Sequence, residues 1–167
     1  VPDADILLQK YDEAKGANSS ISLAVTKKAI LNVGDKFPAF TATDIEGKQW
    51  TEADIDGKVM VLNLWFSGCG PCRAEMPELS IWKNEMPDVM FFSATYESAE
   101  VDRPIIEKQG FNWTHLVENT QFKEYVGGNG YPMTIIVDKA GVVSMIEHGT
   151  SPTQRAELKK KIEELRK

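Results

Sequence analysis

Cysteine and histidine are scarce in this sequence, which has only two of each among 167 residues. Two cysteines cannot build the disulfide framework of a small secreted scaffold. No apolar run approaches the length of about eighteen residues that a membrane-spanning helix requires. Basic residues are outnumbered by acidic ones, which gives a net charge of −6, and no basic segment is interleaved with aromatic residues. Nucleic acid is therefore not an expected partner.

Hydrophobic residues make up 42% of the chain and charged residues 26%, a balance that suits one globular domain with a buried core. Residues 1–32 are expected to lie outside this domain. They contain a weakly amphipathic helical pattern over residues 3–16 and then the polar connector ANSSIS, which together suit a spacer or a small extra segment. Residues 33–167 are expected to form the folded domain.

Strand patterns alternate with helical ones in the second region. FPAFTATDIEGKQWT predicts a hairpin, KVMVLNLWF and VMFFSATY predict buried strands, WTHLV predicts a short strand, and MTIIVD with VVSMIEH predicts a second hairpin. Helices are predicted from about Pro71 to Glu85, over SAEVDRPIIEKQG, in TQFKEYVGG with Thr120 as its cap, and after Ser151. This order predicts a mixed α/β sheet flanked by helices.

The two cysteines, Cys69 and Cys72, lie in the stretch WFSGCGPCRAEMPEL, where a predicted strand gives way to a helix. A structural disulfide across two residues would constrain the unfolded chain little. A zinc site needs four ligands, and His115 and His148 are far away in sequence. At a helix N-terminus, however, free N–H groups and the helix dipole stabilise a thiolate. The spacing therefore favours a redox pair, with Cys69 exposed and Cys72 buried.

The neighbouring residues agree with a redox pair. Gly70 permits close approach of a substrate, and Pro71 suits the first helical position because it has no N–H to leave unpaired. Arg73, Glu75 and Glu78 follow on the helix, and we expect them to face solvent.

The motif CGPC after an apolar strand, Pro77 within the helix and the later segment YPMTIIVD resemble the thioredoxin fold. VGDKFPAFTATDIEGKQW, NLWFSGCGPCRAEMPEL and an extra α-β segment at about residues 98–118 are similar, more narrowly, to the TlpA/ResA-like extracytoplasmic thiol-disulfide oxidoreductases. The resemblance covers residues 33–167. It implies a thioredoxin fold with an N-terminal β-hairpin and an internal α-β insertion.

This resemblance implies that Cys69 is the nucleophile and Cys72 the resolving thiol, so that a redox-active disulfide serves in place of any cofactor or metal. It implies a cis peptide at Tyr131-Pro132 beside the sulfurs, with the Tyr131 backbone pairing with an extended substrate. It also places Glu97 near the sulfurs, where a raised pKa would let this carboxylate carry the proton of the resolving thiol. A solvated loop glutamate is the alternative.

Three positions concern the surroundings of the cysteines. Asn63 stands where thioredoxin has a buried acid, and an amide cannot titrate, so that role is vacant or filled elsewhere. Trp65 stands where thioredoxins carry a tryptophan packed under the active site. Gly68 stands where many relatives have a tryptophan, so we expect an uncovered nucleophile, with recognition falling on Tyr131 and Pro132.

These features favour a reductase of protein disulfides that works as a monomer, and the resemblance implies that it is extracytoplasmic. The resemblance implies a membrane thiol-disulfide carrier as electron donor, a membrane anchor in a removed N-terminal segment, and a role in cytochrome c maturation or periplasmic redox homeostasis. Two alternatives stay open. A peroxiredoxin-like thiol peroxidase would need the motif Pro-x-x-x-Thr-x-x-Cys, but Leu62 and Phe66 occupy the corresponding places. A thioredoxin-fold copper chaperone could use His148, but the cysteine spacing is wrong for it.

Overall fold

A computed structural model describes residues 30–167, so the predicted helix over 3–16 and the connector after it lie outside the described residues. Within them the predicted strands and helices are all present, in the predicted order. The elements are β1 (Thr41–Asp44), β2 (Gln49–Thr51), a 3-10 helix (Glu52–Ile55), β3 (Met60–Leu64), α1 (Gly70–Glu85), β4 (Met90–Ala94), α2 (Ala99–Gln109), β5 (Thr114–Val117), α3 (Lys123–Val126), β6 (Met133–Val137), β7 (Val143–His148) and α4 (Pro152–Leu165).

The strands form one mixed sheet in the order β2-β1-β5-β4-β3-β6-β7. Strands β3, β4 and β5 run parallel, whereas β6, β7 and the β1-β2 hairpin are antiparallel to their neighbours. The predicted insertion consists of α2 and β5, and its strand β5 lies between β4 and the N-terminal hairpin in this sheet. The thioredoxin fold with its N-terminal hairpin and internal insertion is therefore confirmed.

The central strand β3 is buried along its whole length, as its continuous apolar sequence predicts. Because successive side chains of a strand point to opposite faces, its residues divide between two cores. Met60, Leu62 and Leu64 pack with residues of the N-terminal segment and α3 on one face. Val61 and Trp65 pack with α1, α2 and α4 on the other face. Asn63 falls between these two residues and therefore faces α1.

Most of the predicted helix ends are confirmed. The Oγ of Ser151 accepts a hydrogen bond from Gln154 N and caps α4, and Gly110 ends α2 in the left-handed conformation. The cap predicted for α3 is wrong. The N-cap of α3 is Phe122, whose side chain makes no capping hydrogen bond and whose N–H donates to Asn119 Oδ1 at 2.9 Å.

In the described part of the chain, no helix has both the length and the apolar character that crossing a membrane requires.

Candidate active site

The loop between β3 and α1 places both cysteines at the start of a 16-residue helix. Trp65 N donates to Ala94 O and extends the β3-β4 pairing, and the indole is only 1% exposed. Cys69 is the N-cap of α1, and its Sγ accepts a hydrogen bond from Cys72 N at 3.2 Å. The two cysteines form a disulfide with their Cα atoms 5.3 Å apart. The first turn contains no acidic residue that would offset the positive end of the helix dipole.

Cys69 is less exposed to solvent than the glycine at position 68 led us to expect. It is 5% exposed, against 1% for Cys72, so the predicted order of the two sulfurs holds but the expectation of an uncovered Cys69 is wrong. The aromatic ring of Phe66 lies in the space that a side chain at position 68 would enter, because a Cβ added to Gly68 would lie 3.0 Å from Phe66 Cε2. Gly68, together with Gly70 and Pro71, is exposed around the buried pair.

The peptide between Tyr131 and Pro132 is cis, as the resemblance implies. Its place beside the cysteine loop follows from strand register, because Leu64 at the end of β3 pairs with Met133 at the start of β6. The rings of Tyr131 and Phe66 pack edge to face with their centroids 5.1 Å apart. Tyr131 also packs against the buried cluster that contains both cysteines. The structure therefore brings the cis-proline segment and the CGPC segment together.

Glu97 reaches the cysteine loop, but it binds Ser67 rather than either cysteine. Its Oε1 accepts from Ser67 N at 2.8 Å and its Oε2 accepts from Ser67 Oγ at 2.6 Å. Arg73 Nη1 donates to Ser67 O at 3.4 Å from the other side. Burial alone would raise the pKa of Glu97, but hydrogen bonds from Asp102 and Ser67 outweigh it and lower that pKa. The expected raised pKa of Glu97 is therefore wrong.

A second correction concerns Glu75, which is buried rather than on the helix surface. It is 4% exposed, and its Oε2 accepts a hydrogen bond from Asn63 Nδ2 at 3.0 Å. Asn63 Nδ2 also donates to Thr134 Oγ1 on β6 at 3.1 Å. Residues three apart on a helix lie about 5–6 Å apart at Cβ, so Glu75 lies directly beyond Cys72. Glu75 on α1 thus provides a buried acid next to Asn63, which stands at the strand position where thioredoxin has one.

The sequence did contain a signal for Glu75. Cys72, Glu75, Met76 and Leu79 follow the spacing of one helix face, and the other three are apolar residues of the core. Asn63 in the middle of an apolar strand also requires a buried polar partner. Glu78, by contrast, lies at the surface as predicted, with its Oε1 2.8 Å from Arg155 Nε.

Burial raises the pKa of Glu75 from 4.5 to about 6. Hydrogen bonds from Asn63 and Thr150 and the charge of Arg155 oppose this effect without cancelling it. Glu75 is thus a buried acid that can take up or release a proton near neutral pH, beside the more buried of the two sulfurs.

We predict that Asn63→Asp destabilises the protein at alkaline pH. The substitution replaces the donor that binds Glu75 with a second carboxylate in a buried place, and two facing carboxylates cannot both ionise there. The expected loss is about 1–3 kcal/mol at about pH 8, shrinking in acid as the pair takes up a proton. Denaturant unfolding across the pH range measures it. A loss that does not change with pH would contradict this account of the pair.

No cluster of metal-ligating side chains occurs in the described part of the chain. His115, one of the two histidines, is 6% exposed and has both ring nitrogens engaged. Its Nδ1 bonds Ser93 Oγ at 2.7 Å and its Nε2 bonds Phe111 O at 2.8 Å. Burial lowers its pKa to about 4, so the ring is a neutral core group.

Comparison with known proteins agrees with the site. Among curated relatives, the thioredoxin-like protein YneN of Bacillus subtilis is 26% identical over 138 residues, which cover 80% of this chain and 81% of YneN. The thiol-disulfide oxidoreductase ResA of Geobacillus thermodenitrificans is 28% identical over 130 residues, 75% of this chain and 74% of ResA. A solved thiol:disulfide interchange protein from a Bacteroides species is 25% identical with a TM-score of 0.67, covering 81% and 91% of the two chains.

The chain also matches a whole family, beyond these single relatives. Residues 33–146 match the AhpC/TSA family, and this range is more than half of the chain and includes both cysteines. The chain therefore belongs to the AhpC/TSA family.

Proposed function

We propose that this protein reduces disulfides in other proteins through a dithiol-disulfide cycle of Cys69 and Cys72. The observation that carries the proposal is the position of Cys69 as N-cap of α1, disulfide-bonded to Cys72 and next to the Tyr131-Pro132 segment. The helix dipole and the N–H of Cys72 favour a Cys69 thiolate in the reduced protein, and the thiolate is the reactive form of cysteine.

In the first step, the Cys69 thiolate attacks one sulfur of the substrate disulfide. A bond forms between Cys69 Sγ and that sulfur, and the other substrate sulfur leaves as a thiolate and takes a proton from solvent. Gly68, Gly70 and Pro71 leave room for an extended substrate because they present little side chain. The Tyr131 backbone, next to Pro132, is the proposed edge with which the substrate pairs.

In the second step, Cys72 attacks Cys69 Sγ and releases the second substrate sulfur. Cys72 must lose a proton for this attack, and we assign the acceptor to Glu75, because this buried carboxylate follows it by one helical turn. The released thiolate then becomes a thiol. Two electrons have moved from the protein to the substrate, and the Cys69-Cys72 disulfide remains.

Glu97 takes a supporting part in this scheme. Both of its carboxylate oxygens are occupied by the backbone and side chain of Ser67, so it holds the loop two residues before Cys69. Trp65 and Asn63 support the site from below, the first by packing and the second by its hydrogen bond to Glu75.

The two alternative functions find less support. Leu62, one of the two positions corresponding to the peroxidase motif, is a core residue with 1% exposure, and Phe66, the other, is an aromatic that packs on Tyr131. The chain has no cysteine besides Cys69 and Cys72 that could serve a peroxidase. For the copper chaperone, a titration with copper should show no stoichiometric binding.

Two further parts of the proposal concern where the protein works. The resemblance to extracytoplasmic oxidoreductases supports a place outside the cytoplasm, with a membrane thiol-disulfide carrier returning electrons to the Cys69-Cys72 disulfide. It supports a client in cytochrome c maturation or in periplasmic redox homeostasis, and a monomer as the working form. Reduction of the oxidised protein by the isolated thiol domain of such a carrier tests the electron donor.

The proposed function is tested with a model protein disulfide. The reduced protein should accelerate the reduction of insulin in the presence of a dithiol donor, in proportion to its concentration. An equal concentration of a Glu100→Gln variant, changed at an exposed position of α2, should behave identically. If the reduced protein leaves insulin reduction at the rate of the donor alone, the proposed function is wrong.

A further inference from the structure

An acid at the start of α2 is completely buried. Asp102 lies in the first turn of this helix and is 0% exposed. An acid in the first turn of a helix is ordinarily solvated, and burial of an unpaired carboxylate is strongly unfavourable. Thr95 Oγ1 donates a hydrogen bond to Asp102 Oδ2. One hydroxyl satisfies only one of the two carboxyl oxygens.

The other carboxyl oxygen of Asp102 has no donor among residues 30–167. Within the described part of the chain, Asp102 Oδ1 is buried and no N–H or hydroxyl donates to it. The side chains of Asp102 and Glu97 lie within hydrogen-bonding reach of each other. Glu97 already accepts two hydrogen bonds from Ser67 and behaves as an acceptor. Two acceptors bind each other only when one of them carries a proton.

We infer that Asp102 is protonated in the folded protein and donates from Oδ1 to Glu97, acting as a positioning residue for the loop before Cys69. The hydrogen bonds then form a closed ring. Glu97 N donates to Thr95 Oγ1 at 3.1 Å, Thr95 donates to Asp102, and Asp102 donates to the Glu97 side chain. Glu97 is thereby fixed where its two oxygens bind Ser67. The consequence for Cys69 rests on the proposed function; the protonation itself does not.

The electrostatics of the site agree with one shared proton. Burial, followed by the hydrogen bond and the charge of Glu97, raises the pKa of Asp102 to about 7. The charged group that acts on Asp102 is Glu97. The neighbouring Arg103 is directed away from Asp102, toward Ile45 O and Glu46. Above about pH 7 the proton is lost, the two carboxylates repel each other and the support of Ser67 weakens.

The direct test is a titration of side-chain carboxyl carbons by NMR on the whole oxidised protein. The Asp102 carboxyl should titrate near pH 7, instead of near its ordinary value of 3.8, and the Ser67 amide proton should shift with the same midpoint. In Asp102→Asn, whose amide donates to Glu97 without titrating, the Ser67 amide should lose that midpoint and keep its low-pH position. Glu100→Gln, at an exposed place on the same helix, should leave both midpoints unchanged.

A functional measurement extends the test to the cysteine. In reduced Asp102→Asn, the alkylation rate of Cys69 should rise with pH in a single step that follows ionisation of the Cys69 thiol. In the wild type it should show a second inflection near the Asp102 midpoint. Asp102→Ala provides no donor to Glu97. At every pH it should therefore react as the wild type reacts above the Asp102 midpoint.

An Asp102 carboxyl that titrates in the ordinary acidic range would overturn the inference. So would a Ser67 midpoint that persists in Asp102→Asn. The NMR readout requires no activity and is measured even if Asp102→Ala fails to fold. A protein with the raised Asp102 midpoint but no insulin reduction would therefore contradict the proposed function and leave this inference standing.

Discussion

Replacing Cys69 by serine is expected to reduce disulfide reductase activity to the background rate of the dithiol donor. The remaining sulfur, that of Cys72, is 1% exposed and has no route to a protein disulfide. It also lacks the N-cap position at which the helix dipole and a backbone N–H stabilise a thiolate. Insulin reduction by the Cys69→Ser and wild-type proteins, compared at equal concentration, measures the loss.

The matched control is Cys72→Ser, because it removes the other sulfur and the same disulfide. It should also fail to turn over, but its Cys69 thiolate should still attack one chromogenic aromatic disulfide and release one coloured thiol per protein. Cys69→Ser should release none in the same interval. Equal release from both variants would mean that Cys69 is not the nucleophile.

Glu75→Gln is expected to separate the two steps of the cycle. The wild-type protein, reduced and mixed with a chromogenic aromatic disulfide, should release a first thiol when Cys69 attacks and a second when Cys72 resolves the mixed disulfide. Loss of a general base typically costs about 10²-fold or more in rate. The second release should therefore slow by about 10²-fold at neutral pH, while the first keeps its wild-type rate.

The same substitution should stabilise the folded protein. The pKa of Glu75 is raised from 4.5 in the unfolded chain to about 6 in the folded one, so the folded state favours the protonated acid. Its contribution to stability is full below about pH 4.5 and is lost as the pH rises through 6. A glutamine at this position does not titrate. Glu75→Gln should thus gain about 2 kcal/mol over the wild type between acid and neutral pH.

Glu85→Gln is the control for both measurements, since Glu85 lies at the end of the same helix with its side chain 49% exposed. It should leave the second release and the pH dependence of unfolding close to wild type. If Glu75→Gln releases both thiols at the wild-type rates, Glu75 does not accept the proton of Cys72.

Local sequence patterns were sufficient to predict the mixed α/β sheet and the redox pair of cysteines, whereas the thioredoxin fold came from family resemblance. The continuous apolar run of β3 and the alternation of strands and helices depend on neighbours within each segment. The N-cap position of Cys69 follows from a strand that ends a few residues upstream and from Pro71, which suits a first helical turn. Such features need no knowledge of distant contacts, and the cis peptide at Tyr131-Pro132 came from family resemblance rather than from any pattern.

The surroundings of the cysteines depend on residues far apart in the chain and were predicted less well. Phe66 fills the space beside Gly68 because its ring packs between Tyr131 and Tyr96, which come from two other loops. Glu75 is buried because Asn63 on β3 and Thr134 on β6 form a polar chain facing α1. Asp102 is buried where it accepts a hydrogen bond from Thr95, which follows β4. Each outcome requires the tertiary structure.

The most direct test of the redox cycle is to trap its intermediate with Cys72→Ser in native extract. Because the resolving thiol is missing, the bond between Cys69 and its client cannot be released from within the protein. We expect stable mixed disulfides that disappear on treatment with reductant and are absent from the variant lacking both cysteines. A Cys72→Ser protein that accumulates no adduct, together with a wild-type protein that cannot reduce insulin, would contradict the account.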